Sequence, residues 1–179
     1  VGEMFSPNGS ESDSTPYKRH VITESGVSPR SVPGDPGGIF VTTSDEHTEY
    51  GKISERIENR LEQMDKRMRK LDLMASETPE EDKWTLFGPE TADATIVSWG
   101  STKGAILDSM RVLREDHGVV VNFLQIRLMR PFPTQSVTRI LESANKLILI
   151  EDNFVGQLGE LIREKTGIKI DLRILKYDG

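Results

Sequence analysis

At 179 residues and 35% hydrophobic composition, the chain has room for one ordinary domain, or for one domain plus a fragment of another. Its 29 acids against 23 bases leave a formal charge of −6, which argues against nonspecific nucleic-acid binding and points to protein or small-molecule partners. The absence of cysteine removes disulfides, thiolate nucleophiles and cysteine-ligated zinc or iron–sulfur centres.

No apolar run approaches the roughly 20 residues a membrane span needs. The opening "VGEMFSPNGSESDSTPYKRH" is too polar and proline-punctuated for a cleavable signal, so a cytoplasmic location is expected. The chain starts at Val1 and ends just after a strand-like run, which reads as a piece of something longer. Residues 1–16, rich in Ser, Gly, Pro and acids, are expected to be disordered or ordered only by a partner. Residues 17–43 hold short β-like runs, "HVI" and "GIFVTT", among turn residues. From Ile53 the pattern changes. Ile53, Ile57, Leu61, Met64, Met68 and Leu71 step by four or three, which predicts a helix with one apolar stripe and supporting Glu62–Lys66 and Asp65–Arg69 pairs. The acidic, proline-bearing stretch 81–92 reads as a linker.

Clear alternation follows. Strands are expected at 94–99, 119–126, 146–151 and 168–175, with helices at 103–116, from a cap at Thr134 to about Ala144, and at 156–165. Near-continuous apolar strands separated by amphipathic helices imply an α/β fold, a parallel sheet with β-α-β alternation covered on both faces.

Four stretches carry candidate chemistry. "WGSTKG" opens the first of these helices, so the backbone amides near Ser101 and Thr102 are placed to hold an anion or nucleotide. It lacks the third glycine of a dinucleotide fingerprint, and a tight turn capped by Ser101 or Thr102 is the alternative. "EDNFVGQLGE" puts Glu151, Asp152 and Asn153 at the carboxyl end of a strand, where open α/β sheets place ligands. Carboxylates there suit acid–base work or a cation; the plainer reading is a capped turn beside Gly156. "SVPGDPGGIFVTTSDEHTEYG" contains two prolines, four glycines and then Asp45, Glu46 and His47. These side chains can bind metal, but their spacing is no metal motif, which favours a loop whose acids accept hydrogen bonds. Arg30, in "KRHVITESGVSPRSVPG", is a candidate to line a cleft or an interface.

Taken together and in order, "YKRHVITESGVSPRSVPGDPGGIFVTTSDEHTEYG", the charged helix ending "KRMRKL", "VSWGSTKGAI", "LMRPFP" and "IEDNFVGQLGELIR" resemble the C-terminal portion of the alpha subunit of 2-oxoacid:ferredoxin oxidoreductases. The resemblance implies that residues 17–80 are the tail of a thiamine pyrimidine-binding domain with its connecting loop and long helix. It implies that 93–179 form a transketolase C-terminal-like (Rossmann-like) domain. The whole enzyme would oxidatively decarboxylate a 2-oxoacid to an acyl-CoA and reduce ferredoxin, using thiamine diphosphate, magnesium and an iron–sulfur cluster. The activating glutamate would lie upstream, and most cofactor contacts in a beta subunit. On that reading this chain carries no catalytic or metal residue and binds no cofactor alone. Its partners would be the beta subunit and the remaining alpha-subunit domains in an oligomer. Asp45, Glu46 and His47 would anchor on a surface outside this chain.

Overall fold

The computed structural model describes residues 3–5 and 16–178, which fall into two compact units, Val1–Glu77 and Thr78–Gly179. Most of residues 1–16 lie outside the described set. Within that stretch, however, Met4 forms a bridge with Arg30, and Phe5 packs on Tyr17 with ring centroids 4.4 Å apart.

The first unit is a set of turns laid along one long helix, α1 (Ile57–Glu77). Polar contacts knit the turns. Tyr17 Oη donates to Pro29 O, Ser28 Oγ to Val21 O, and Glu49 accepts from Lys18 and from the Ile22 amide. α1 begins four residues later than its apolar period suggests, because Ile53 is bridged to His47 and Ser54 N donates to Glu46 O. The predicted i,i+4 pairs are replaced: Lys66 reaches the His20 carbonyl and Arg69 the Thr23 carbonyl. Bonds to loop carbonyls win over surface ion pairs, which contribute little in water.

The second unit is a five-stranded sheet. A short helix, α2 (Glu80–Lys83), leads into β1 (Trp84–Phe87), followed by β2 (Ala94–Trp99), α3 (Lys103–His117), β3 (Val121–Ile126), α4 (Thr134–Ser143), β4 (Leu147–Glu151), α5 (Gln157–Thr166) and β5 (Leu172–Leu175). The spatial order is β1-β3-β2-β4-β5, parallel except for β1, which runs antiparallel to β3 at one edge. The stretch read as a linker at 81–92 thus contains most of α2 and an edge strand. "WTLF" is apolar enough to bury, with Trp84 and Leu86 packed against one core cluster and Phe87 against the other, but four residues are too few to show a period.

Two clusters cover the sheet. Val97, Leu124 and Leu149 pack with Val137 and Leu141 of α4 and Leu158 and Ile162 of α5. Ile96 and Phe123 pack with Ile106 of α3. Alternate residues of β2 and β3 belong to opposite clusters, as the two-residue period of a strand requires. α4 starts at Thr134 without a side-chain cap, contrary to expectation; Pro133 occupies the cap position and has no hydroxyl to offer.

Candidate functional site

In the second unit, β2 leads through α3 to β3 on one side, whereas β4 lies on the other. The chain direction of winding therefore reverses between β2 and β4, and their carboxyl ends form the switch point where open α/β sheets bind ligands. Here the crevice is closed by the protein's own groups. Ser98, fully buried, donates its hydroxyl to Ile150 O across the two strands and sits 2.6 Å from Thr102 Oγ1. Thr102 Oγ1 is also 2.8 Å from Trp99 O. Ser98 has spent its proton on Ile150, so Thr102 shares its single proton between Ser98 and Trp99.

The Glu151 carboxylate, also fully buried, is the centre of this arrangement. It accepts from Trp99 Nε1 at 3.2 Å, Asn153 Nδ2 at 2.7 Å, Leu158 N at 3.0 Å and Gly159 N at 3.2 Å. The last two are first-turn amides of α5, so Glu151 fills the anion position that a helix N-terminus offers. Asn153 Oδ1 accepts from Gly156 N and Gln157 N and closes the preceding turn. With both oxygens engaged, Glu151 ties the end of β4 to the first turn of α5. Ser101 is exposed, and neither it nor Thr102 caps α3; the Thr102 side chain is turned into the switch point. Trp99, Phe154, Val155 and Tyr177 remain exposed, and the Phe154 and Tyr177 rings meet edge to face at 4.9 Å. Ser98 and Trp99 carry no signal of this role at the level of sequence, because they close an apolar run and look like strand filling.

A depression of about 430 Å³ lies at the opposite edge, beside the amino end of β3, lined by Gly88, Leu107, Met110, Arg114 and Val121 among others. It gathers no acid–base pair.

In the first unit, Glu46 is gripped by Arg67 through two bonds, 2.6 and 3.0 Å, and by Arg60 at 3.0 Å. The Arg67 bonds, aided by the His47 amide and Arg60, lower its pKa to about 2. His47 stacks on His20 with centroids 3.9 Å apart, and its carbonyl accepts from Asn59 of α1. Burial, then His47 and nearby cations, lower the His20 pKa to about 4. The His20 carbonyl accepts from Gln63 and Lys66. Burial and then Lys70, Arg19 and Arg67 lower the Lys66 pKa to about 8. Glu46 and His47 are anchors, but the surface they anchor is α1 of their own unit, not one outside the chain. Asp45 is exposed and makes no side-chain hydrogen bond among the described residues; Arg30 is exposed and contributes its backbone to the bridge with Met4. Among the described residues no group of three or more His, Cys, Asp or Glu is arranged to hold a metal.

Glycine lets the loops approach the helix at one place and each other at another. Gly26 has φ +78°, and a Cβ there would lie 2.4 Å from Lys66 O; Gly51 has φ +79°, and a Cβ would lie 1.8 Å from Val41 O. No side chain fits either place.

Comparison with known proteins agrees with this architecture. Residues 92–174 match the family model of the pyruvate:ferredoxin oxidoreductase core domain II. The alpha subunit of 2-oxoacid:ferredoxin oxidoreductase 2 from Aeropyrum pernix is 41% identical over 163 residues, 91% of this chain and 25% of that subunit. The corresponding alpha subunit from Saccharolobus solfataricus is 40% identical, over 90% of this chain and 25% of its own length. The chain therefore spans a quarter of the length of these curated relatives. Among solved structures, a 2-oxoglutarate:ferredoxin oxidoreductase from Magnetococcus marinus, with 2-oxoglutarate, coenzyme A and succinyl-CoA bound, superposes with TM-score 0.66 at 28% identity, over 97% of this chain and 29% of that one. With a closed switch point and these relatives, a stand-alone anion-binding module built on the "GSTKG" turn is not favoured. The chain belongs to the 2-oxoacid:ferredoxin oxidoreductase alpha-subunit family.

Proposed function

We propose that this chain is a structural and interface-forming part of the alpha subunit of a cytoplasmic 2-oxoacid:ferredoxin oxidoreductase. The whole enzyme would decarboxylate a 2-oxoacid oxidatively, pass the electrons to ferredoxin and form an acyl-CoA. The observation that carries the non-catalytic role is Glu151. The carboxylate placed where α/β sheets do chemistry is spent on four internal donors. Residues 17–80 would complete a thiamine pyrimidine-binding domain, and 93–179 would form the transketolase C-terminal-like domain; the division into units near residue 78 supports this partition. The beta subunit and the rest of the alpha subunit would be direct partners. No described helix is long and apolar enough to cross a membrane.

Thiamine diphosphate would supply the carbanion sink of the reaction. The residues of this chain do not fit the family's cofactors. There is no thiolate for a cluster and, among the described residues, no acidic or histidine group for magnesium and no unengaged buried carboxylate for the thiamine ring. Its own contribution is to hold surfaces in place.

The test replaces the matching quarter of the Aeropyrum pernix alpha subunit by this chain and co-expresses it with the beta subunit. Ferredoxin reduction dependent on a 2-oxoacid and coenzyme A is the expected result. Loss of activity in a folded, assembled hybrid, or tight thiamine diphosphate binding by this chain alone, would defeat the assignment of roles.

A further inference from the structure

α1 carries an apolar stripe that its own unit covers only in part, with Met64 and Leu71 half-buried and Ile57, Leu61 and Met68 exposed. Among the described residues no apolar side chain before Ala94 is buried; in the first unit Gln63 and Lys66 are, at 1% and 7% exposure. Ile57, Leu61 and Met68 are 72%, 59% and 44% exposed. From Ile57 through Leu61, Met64, Met68 and Leu71 the spacing is four, three, four, three, the seam of a heptad pattern. Beside it, Glu58, Asp65 and Asp72 recur every seven residues on one flank, and Arg60 and Arg67 lie on the other. Both arginines are already bound to Glu46, and Glu58 lies 3.7 Å from Arg56, which leaves Asp65 and Asp72 as the flank with charge to offer.

We infer that this seam is a docking face for an apolar surface edged by Lys or Arg, in the part of the alpha subunit that the relatives possess beyond the quarter matched here. The inference rests on the family reading proposed above. An unsupported apolar seam with one committed flank needs a partner that buries the apolar row and meets Asp65 and Asp72. A second copy of this chain fits less well. Its arginines would have to release Glu46 to reach the acidic row, and a seam from Ile57 to Leu71 with methionine at two of its five positions makes a weak self-pairing helix.

Methionine oxidation by hydrogen peroxide, read by peptide mass spectrometry, tests this in the same hybrid alpha subunit and in this chain alone. Met68 should oxidise at least about tenfold more slowly in the hybrid, since burial withholds the thioether from the reagent. An Asp65→Lys, Asp72→Lys hybrid should lose most of that protection, while the circular dichroism of the same substitutions in this chain stays unchanged. Equal Met68 rates in hybrid and chain overturn the inference. So does sedimentation of this chain as a dimer that Leu61→Glu abolishes, which would assign the seam to a second copy. Activity reads the other claim separately. An active hybrid with exposed Met68 defeats only the docking face, and an inactive hybrid with protected Met68 defeats only the functional reading.

Discussion

The two units are held together by different physics. The second buries fourteen apolar side chains in layers on both faces of a sheet, whereas the first buries a glutamine and a lysine under loop carbonyls. Hydrophobic burial is insensitive to modest salt and to pH; charged hydrogen-bond networks respond to both. One chain therefore contains a unit with a layered apolar core and a segment shaped by polar contacts, whose apolar residues are half-buried or exposed. The same distinction explains why the first unit reads as part of a larger surface.

The largest effects should come from the sheet. Phe123→Ala empties a fully buried site between β1, β2 and α3 and should cost about 3–5 kcal/mol in urea unfolding. Glu151→Ala leaves the Trp99, Asn153, Leu158 and Gly159 donors without their buried acceptor. Each buried neutral donor left unsatisfied costs about 1–3 kcal/mol, so a loss of at least about 3 kcal/mol is expected. If Glu151→Ala instead proved neutral, the carboxylate would be a replaceable surface acid and the closed switch point would lose its main support.

In the first unit, Gly51→Ala forces a Cβ into the Val41 carbonyl at a left-handed backbone position. A loss of more than about 1 kcal/mol is expected, seen as faster hydrogen exchange of α1 amides with the β3 amides unchanged. Equal acceleration in β3 would mean that the two regions are not separable in the way their packing suggests.

Acid sharpens the contrast. Between pH 6.5 and about 4 the unfolded chain protonates His20 while the folded one resists, so the first unit loses stability as pH falls through that window. From 4.5 to about 2, Glu46 repeats the pattern, because only the unfolded carboxylate takes up a proton readily there. Lys66 acts at the other end. With its pKa lowered from 10.5 to about 8, the unfolded chain holds more protons in that interval and stability rises with pH. Exchange of α1 amides measured from pH 3 to 10 and corrected for intrinsic rates should show these windows, and Glu46→Gln should erase the lowest. A flat profile would remove the polar network as the main support of the first unit.

The sheet was legible from sequence because its strands are long apolar runs and its helices keep one period, two signals that need no knowledge of neighbours. β1 escaped because four residues between acids, Gly and Pro show no period, and its pairing is with a strand nearly forty residues away. Of the candidate residues, Glu46, His47, Glu151 and Asn153 hold structural positions, and Thr102 turns inward; Asp45, Arg30 and Ser101 are surface residues. Residue type identified the polar atoms, but which partner each would meet depended on contacts distant in sequence, such as Trp99 with Glu151 and Gln63 with His20. The helix at 57–77 is the instructive case. Its period was read correctly, yet the face it buries within its unit is the polar one.

That inversion gives the smallest and most discriminating expectation. In this chain, Leu61→Ala removes an apolar side chain that is already in water, so its effect should stay within about 0.5 kcal/mol. Gln63→Ala, two positions along the same helix, removes a buried amide and leaves the His20 carbonyl with Lys66 as its remaining partner. It should cost about 1–2 kcal/mol. The order is the reverse of what hydrophobicity alone would give, and both numbers can be read from the exchange of α1 amides. If Leu61→Ala were the more damaging of the two, the helix would be held by its apolar stripe after all, and that stripe would have no spare surface for docking.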